Sequence, residues 1–191
     1  MGCGHNKIAG YLNVDSSPLC EPDQVYDLEK LPWPWQDDSV EEVLFYHSLE
    51  HLGGDPKIFL AMMQELYRIC TPGAIVKITT PHPRHDNFIG DPTHVRIISP
   101  QVLSLFSKKM NDEWKRLGIP NSPLAHYLGI DFEITGLATI LDEPYSSYLQ
   151  KGLMTKEQIM NDLREKNNVV TEFKIEMEVI KSAPRTGSPT L

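Results

Sequence analysis

MGCGHNKIAGYLNVD (Met1–Asp15) joins a glycine turn to a short β-like run that ends on an acid. The turn is Gly2–Gly4, the run is Tyr11–Val14, and Asp15 follows it. A glycine turn directly after a strand lets the backbone approach a phosphate or nucleotide, because no Cβ obstructs it. No strand-forming run precedes this turn in the sequence. The stretch therefore predicts a nucleotide-type turn whose leading strand is truncated or absent.

Length and composition point to one ordinary domain. The chain has 191 residues, of which 40% are hydrophobic and 23% are charged. A fold of this size buries roughly 70% of the surface that its unfolded chain exposes, which is enough for one substantial core. We therefore predict a single domain over residues 1–181. Proline and glycine after Lys181 predict a disordered tail over residues 182–191.

The net charge and the cysteine content indicate which binding partners and which cellular compartment to expect. The formal net charge is −8, from 26 acidic and 18 basic residues, which disfavours general binding to a nucleic-acid backbone and suits a small-molecule partner. The three cysteines are odd in number and far apart, so we predict no disulfide framework and a cytoplasmic location. No apolar run approaches the ~20 residues of a membrane helix, so we predict no membrane association.

Apolar runs that alternate with helical spacings predict an α/β fold. Apolar residues from Ile58 to Ile69 recur at i, i+3 and i+4, which predicts a helix over about 56–70 that ends at Thr71–Gly73. Further helices are predicted over about 100–117 and 155–166, and strands over 11–14, 24–26, 43–46, 74–80, 132–141 and 169–180. Strands that alternate with helices are typical of a three-layer α/β sheet.

Polar residues and the glycine turn share one kind of position in this pattern. Asp15, Asp27 and His47 each come directly after a predicted strand. In open α/β sheets, ligands bind beyond the carboxyl ends of the strands. We therefore predict that these three residues and the turn line one ligand site at the same edge of the sheet.

One ordered series of motifs resembles a known enzyme family. DLEKLPW begins at Asp27, DSVEEV at Asp38, HSLEHL at His47, ELYRI at Glu65 and TPG at Thr71. In this order and spacing, the series resembles the class I S-adenosylmethionine-dependent methyltransferases, specifically the methyltransferase type 11-like group with the LEH signature. The resemblance implies a Rossmann-like three-layer sandwich with a mostly parallel sheet and an antiparallel last strand. It also implies S-adenosyl-L-methionine as the cofactor.

The resemblance assigns cofactor-binding roles as well. In the family, the backbone of the glycine turn approaches the cofactor, and the acid after the second strand accepts the two ribose hydroxyls. The next acid and its neighbouring amide read the adenine, and the fourth strand ends beside the methyl group. A carboxylate suits a diol because it is only an acceptor and can take two donors. The matching positions are Gly2, Cys3 and Gly4 for the turn, Asp15 for the ribose, Asp27 and Leu28 for the adenine, and His47 for the methyl end.

The first residues depart from the family pattern. Only six residues separate Gly4 from Tyr11, whereas a crossover with a helix needs a dozen or more, so we expect a compact variant. The first strand is central in the usual order of the fold, and its loss would break the ladder on both sides. Three alternatives are open: the sequence starts late, residues at Met1 stand in for the strand, or another segment fills its place. We favour the late start.

His47 and His94 are the candidate catalytic residues. Methyl transfer from a sulfonium is an in-line displacement that alignment alone accelerates, and a base is needed only when the acceptor must lose a proton. Histidine, whose unperturbed pKa is about 6.5, can act as that base near neutral pH. In the alternative, His47 and His51 only hydrogen-bond the neighbouring backbone and shape the floor of the pocket.

A loop rich in histidine and arginine follows the strand predicted over 74–80, which corresponds to the fifth strand of the family when the missing first strand is counted. We predict that it binds the acceptor, with Arg84 or Arg96 holding a carboxylate or phosphate and His94 near the reacting atom. In the alternative, it is a proline-rich connection with satisfied polar groups. The histidine spacing fits no compact zinc pattern and no HExxH helix, so we predict no metal. The predicted substrate-binding residues are His51, His82, Arg84, His85 and Arg96.

Together, these features predict an enzyme that transfers a methyl group from S-adenosylmethionine to a small molecule or biosynthetic intermediate. Two other functions are open. The protein could be a cofactor-binding pseudoenzyme or partner subunit, which the missing strand makes conceivable. It could also methylate RNA, although the acidic charge and the lack of a basic stripe with interleaved aromatic residues count against that. The sequence predicts neither the accepting atom nor the oligomeric state.

Overall fold

The computed structural model describes residues 1–181, so the tail predicted over 182–191 lies outside the described residues. The strands are β1 (Val14–Asp15), β2 (Gln24–Val25), β3 (Val40–Tyr46), β4 (Cys70–Pro81), β5 (Phe132–Leu141) and β6 (Val170–Val179). The helices are α1 (Pro56–Ile69), α2 (Asp86–Ile89), α3 (Pro100–Ser104), α4 (Lys108–Leu117), α5 (Leu124–Leu128), α6 (Tyr145–Gln150) and α7 (Lys156–Glu165). A 3₁₀ turn, Leu49–His51, follows β3.

The strands form two separate sheets. One has the order β3-β4-β6-β5, in which β3 and β4 are parallel and β6 runs antiparallel to both of its neighbours. The other contains only β1 and β2, which are parallel. The antiparallel last strand and the mixed α/β architecture are confirmed. The prediction implied one continuous sheet, whereas the structure has two, and the interruption lies between β1 and β3.

Helix α1 shows why the motif region folds as predicted. The carboxylate of Asp55 caps its first turn by accepting the Lys57 N–H, and Pro56 occupies the first turn, where its missing N–H leaves no bond unmade. The helix buries one face that recurs at i, i+3 and i+4, and this face belongs to the same core as the strands; its residues are Phe59, Met62, Met63, Leu66 and Ile69. Within residues 1–181, no helix has the length and apolar composition needed to cross a membrane.

The helix predicted over 100–117 is in fact two helices, α3 and α4. The Leu105 carbonyl accepts the side-chain amide of Asn111 (3.1 Å) and the Ala125 N–H (3.1 Å). Ser107 then caps α4, because its hydroxyl accepts the Met110 N–H at 3.1 Å. These tertiary contacts use the carbonyl that a continuous helix would need, so the chain breaks between Ser104 and Lys108.

A groove of about 1240 Å³ lies where the two sheets approach each other. Residues 10–14 line one side and residues 38–44 line the other, and no strand of residues 1–181 fills the space between them. At one end, the Met1 amine donates to the Leu44 carbonyl at 2.7 Å, and the Cys3 N–H donates to the Val14 carbonyl at 3.1 Å. Met1 and Cys3 therefore connect the two sheets at this end through two hydrogen bonds, without forming a strand. The late start that we favour stays a prediction.

A strand supplied to this groove should stabilise the protein. We expect a five-residue segment rich in valine and isoleucine, fused before Met1, to pair with the free edges of β1 and β3. The melting temperature should rise by several degrees, since 1 kcal/mol shifts it by about 2–4 °C in a domain of this size. The control is a glycine–serine segment of equal length. Equal melting temperatures for the two fusions would contradict the pairing.

Candidate functional site

The glycine turn is fixed against the end of β3. Gly2 has a φ of +62°, and a Cβ built on it would lie 2.5 Å from the Ser48 Cβ, so both the conformation and the space require glycine. The backbone of Gly4 is also in the left-handed region, with a φ of +51°. The Ser48 hydroxyl donates to the Met1 carbonyl at 3.0 Å. The predicted turn therefore meets the residue that directly follows His47.

Asp15 joins the same turn to the end of β1. One carboxylate oxygen accepts the Gly4 N–H at 2.8 Å, and the other accepts the Ser17 N–H at 2.9 Å. A carboxylate has about four lone-pair sites, so each oxygen retains room for one further donor. The arrangement positions a partly buried acceptor beside the turn.

Asp27 and Leu28 follow the neighbouring strand at the same edge. The Tyr26 N–H donates to the Asp15 carbonyl at 2.8 Å, which continues the parallel pairing of β1 and β2 up to the two acids. The Asp27 carboxylate accepts the Glu29 N–H at 3.0 Å. Leu28 is buried in the core, and its carbonyl accepts the indole N–H of Trp33 at 2.8 Å. Both acids therefore lie at the carboxyl ends of adjacent strands.

His47 lies at the carboxyl end of β3 in an unusual backbone conformation. Its φ is +48°, which is uncommon for a residue other than glycine and is often found at functional sites. Its Nδ1 lies 3.6 Å from a Glu50 carboxylate oxygen, and its Nε2 lies 3.0 Å from Glu172. The two carboxylates, Glu50 foremost, raise the pKa of His47 above its ordinary value although burial opposes this.

Three residues converge beyond His47. One ring nitrogen of His51, one of His94 and one carboxylate oxygen of Glu50 lie within 4.8 Å of one another. The Glu50 carbonyl accepts the N–H groups of Val95 (3.0 Å) and Arg96 (3.1 Å), which docks the loop that carries His94 onto the 3₁₀ turn. Sequence reasoning missed Glu50, although it stands between the two histidines of the HSLEH motif.

His82 and His85 lie on the predicted loop but use their ring nitrogens within it. The His82 Nδ1 accepts the Arg84 N–H at 3.2 Å, and burial lowers the pKa of His82. The His85 Nδ1 accepts the Asn87 N–H at 3.0 Å, so its Nε2 carries the proton and donates to Asp142 at 3.0 Å. These contacts build the loop. Neither histidine belongs to the cluster around Glu50.

The two predicted arginines hold backbone carbonyls. The Arg84 guanidinium donates to the carbonyls of Leu163 and Arg164, near the end of α7, at 2.7 and 2.9 Å. The Arg96 guanidinium donates to the Gly53 carbonyl and lies 4.1 Å from the centroid of the Phe59 ring. Because both guanidiniums are occupied in this way, we leave Arg84 and Arg96 out of the acceptor site proposed below.

Comparisons with known proteins bear on the fold. No protein-family model matches the chain, and no curated sequence matches it. The structure is similar to that of a SAM-dependent methyltransferase from Archaeoglobus fulgidus, with a TM-score of 0.57 and 17% identity over 86% of this chain and 74% of that one. It is less similar to the YcgJ protein of Bacillus subtilis, with a TM-score of 0.48 and 13% identity over 89% of this chain and 82% of that one.

The first of these similarities supports the fold that the motifs predict. Its TM-score exceeds 0.5, while its low identity restricts the inference to the fold alone. The chain therefore has the α/β fold of the class I S-adenosylmethionine-dependent methyltransferases. Assignment to the type 11-like group remains a prediction from the motifs.

The close contact between Gly2 and Ser48 gives a testable prediction. We expect Gly2→Ala to lower the free energy of unfolding by about 1–3 kcal/mol more than Gly118→Ala, because only the former also overpacks a neighbour. Gly118 is a matched control, since its φ is +69° and a Cβ there would meet nothing within 4 Å. Urea denaturation of both variants measures the difference. Equal losses would show that Ser48 does not constrain the turn.

Proposed function

We propose that the protein transfers the methyl group of S-adenosylmethionine to a small-molecule or biosynthetic-intermediate acceptor. The observation that carries the proposal is the glycine turn, which Asp15 and Ser48 hold at the carboxyl edge of the strands. That edge is where α/β sheets bind ligands. The similar structure from Archaeoglobus fulgidus, described as a SAM-dependent methyltransferase, supports the choice of cofactor.

Each part of the proposed cofactor site has a separate task. The backbone of Gly2, Cys3 and Gly4 would lie against the methionine part of the cofactor, where side chains would obstruct it. Asp15 would accept hydrogen bonds from the ribose hydroxyls through the lone pairs that Gly4 and Ser17 leave free. Asp27 and the Leu28 amide would read the adenine at the end of the adjacent strand. This division follows the order of the strands along the edge.

The transfer itself needs alignment and, for some acceptors, the removal of a proton. The acceptor atom forms a bond to the methyl carbon as the carbon–sulfur bond breaks, which leaves S-adenosylhomocysteine. Holding the two reactants in line supplies much of the acceleration. We propose His47, at the carboxyl end of β3, as the group that takes the acceptor proton in its neutral form, through Nδ1, because its Nε2 donates to Glu172 at 3.0 Å. Since Glu50 and Glu172 raise the pKa of His47, this neutral form prevails only at a pH above the ordinary histidine pKa of about 6.5.

The acceptor would bind on the side of His51 and His94. Their rings lie 4.5 Å apart between centroids, and the loop that carries His94 is fixed to the 3₁₀ turn by the N–H groups of Val95 and Arg96, which donate to the Glu50 carbonyl. The net charge of −8 disfavours an RNA acceptor. A small polar acceptor that can reach both His47 and this histidine pair is the class that we propose.

The ribose assignment can be tested by isothermal titration with S-adenosylmethionine. We expect Asp15→Asn to weaken binding about tenfold to one-hundredfold, since hydrogen bonds to a charged group contribute about 1.5–3 kcal/mol. Asp23→Asn is the control, because Asp23 also accepts a backbone N–H beside β1, that of Asn13 at 2.7 Å, and is given no role in binding. Unchanged affinity in a folded Asp15→Asn protein would remove the ribose assignment.

The catalytic assignment needs a separate assay. We expect methyl-labelled S-adenosylmethionine to label at least one member of a panel of small amines, alcohols and acids, and not RNA. His47→Gln should then lower turnover about 10²-fold or more while cofactor affinity stays unchanged. Tight cofactor binding without labelling of any acceptor would favour the pseudoenzyme alternative. Full turnover in His47→Gln would remove His47 from catalysis.

A further inference from the structure

We propose that Glu50, His51 and His94 bind one divalent transition-metal ion. The sequence spacing predicted no metal, but the fold brings a carboxylate oxygen and two ring nitrogens within 4.8 Å of one another. Two imidazoles and a carboxylate form a ligand set that zinc and iron(II) sites in proteins use. The argument depends on which nitrogens are free and on what satisfies Glu50.

The His94 ring has a free lone pair on Nε2, which can bind a metal ion. Its Nδ1 lies 2.8 Å from the Phe88 carbonyl, which can only accept, so Nδ1 carries the hydrogen. The side chain is 7% exposed and its ring stacks on that of Phe88 with 5.1 Å between centroids, so its orientation is fixed. A backbone carbonyl that fixes the tautomer of a histidine in this way is typical of metal ligands.

The His51 ring also carries its hydrogen on Nδ1, and Thr93 is the residue that fixes this tautomer. The Thr93 hydroxyl lies 2.6 Å from an Asp91 carboxylate oxygen, which can only accept when ionised, so the hydroxyl donates its single hydrogen there. The hydroxyl must then accept from the His51 Nδ1 at 2.9 Å. His51 therefore also presents Nε2 as a lone pair, with Asp91 as the outer carboxylate that supports it.

Glu50 is the group that most needs a partner. It is 0% exposed, and within residues 1–181 neither of its carboxylate oxygens has a hydrogen-bond partner. The His47 Nδ1 forms an ion pair with it at 3.6 Å when the ring is protonated, but that distance is beyond a normal hydrogen bond. Burying a carboxylate without compensation is strongly unfavourable, and such groups in proteins are paired or bind metals. A bound cation would supply the missing partner.

The cluster needs only small movements to bind an ion. A tetrahedral ion with bonds of ~2.1 Å holds its ligand atoms about 3.4 Å apart, so the three atoms need to approach one another by no more than about 1.4 Å. The bonds from Val95 and Arg96 to the Glu50 carbonyl already fix the two segments together. Three protein ligands leave one or more positions open. If the proposed methyl transfer holds, an oxygen or nitrogen acceptor could bind there and lose its proton more readily.

The site can be tested by metal binding alone, without the methyl donor. Protein freed of any histidine tag and treated with a chelator would be titrated with Zn²⁺ by calorimetry and with Co²⁺ by visible absorption. We expect one ion per chain with low-symmetry Co²⁺ bands, and at least tenfold weaker binding in His51→Asn, His94→Asn and Glu50→Gln. His126→Asn is the control, because His126 pairs with Asp112 at 2.8 Å on the exposed surface.

Two results would overturn the proposal. One is the absence of stoichiometric binding of either ion at about 100 µM, a concentration far above the dissociation constants of structural metal sites in proteins. The other is equal affinity in the wild type, the two histidine variants and His126→Asn, which would assign the binding to scattered surface groups. If Glu50→Gln does not fold, the two histidine variants decide the question. Loss of methyl transfer with metal binding intact would contradict only the proposed enzyme activity.

Discussion

The bridge that Met1–Cys3 forms between the two sheets is the contact on which the proposed site depends. The Met1 amine donates to the Leu44 carbonyl on β3, and the Cys3 N–H donates to the Val14 carbonyl on β1. These three residues therefore set the distance between the two sheets at the ligand edge. Two such hydrogen bonds contribute only about 0.5–1.5 kcal/mol each. The two sheets must therefore be held together by their shared core, in which Val14 and Phe45 are both buried, while the bridge sets their relative position.

The same bridge explains why the turn can serve as a ligand cradle. It presses Gly2 against Ser48 and orients the Gly4 N–H toward Asp15, so the turn is fixed to both halves of the edge at once. On the β3 side, the buried Glu50 continues this arrangement by linking His47 to the loop that carries His94. The turn and the histidines are thereby held by one connected set of contacts.

Much of the fold was predictable because it depends on local periodicity. The strand predicted over 132–141 and the helix predicted over 56–70 agree with β5 and α1. Helix α1 buries a face that recurs at i, i+3 and i+4, whereas β5 buries only Phe132 and is recognisable from its run of apolar and β-branched residues. The run over 11–14 joins the sheet only at its last residue, because its other backbone groups bond locally: the Tyr11 N–H donates to the Ile8 carbonyl, and the Asn13 N–H donates to the Asp23 carboxylate. The break after Ser104 depends on tertiary contacts to the Leu105 carbonyl, and the one local signal for it is Ser107, which caps α4.

The site was predictable to a similar degree. Acids after adjacent parallel strands must share an edge, so the proximity of Asp15 and Asp27 followed from their order along the chain. The meeting of Glu50 with His94 could not be predicted, because it depends on two backbone amides of a distant loop that dock on the Glu50 carbonyl. Likewise, no sequence pattern shows that Arg84 is occupied by carbonyls near the end of α7.

Hydrogen–deuterium exchange with and without saturating S-adenosylmethionine tests the central claim most directly, because it reports where the cofactor orders the backbone. The account predicts increased protection in three segments, residues 2–6, 13–17 and 26–29, and none in α7. Protection confined to other parts of the chain, with these segments unchanged, would contradict the account.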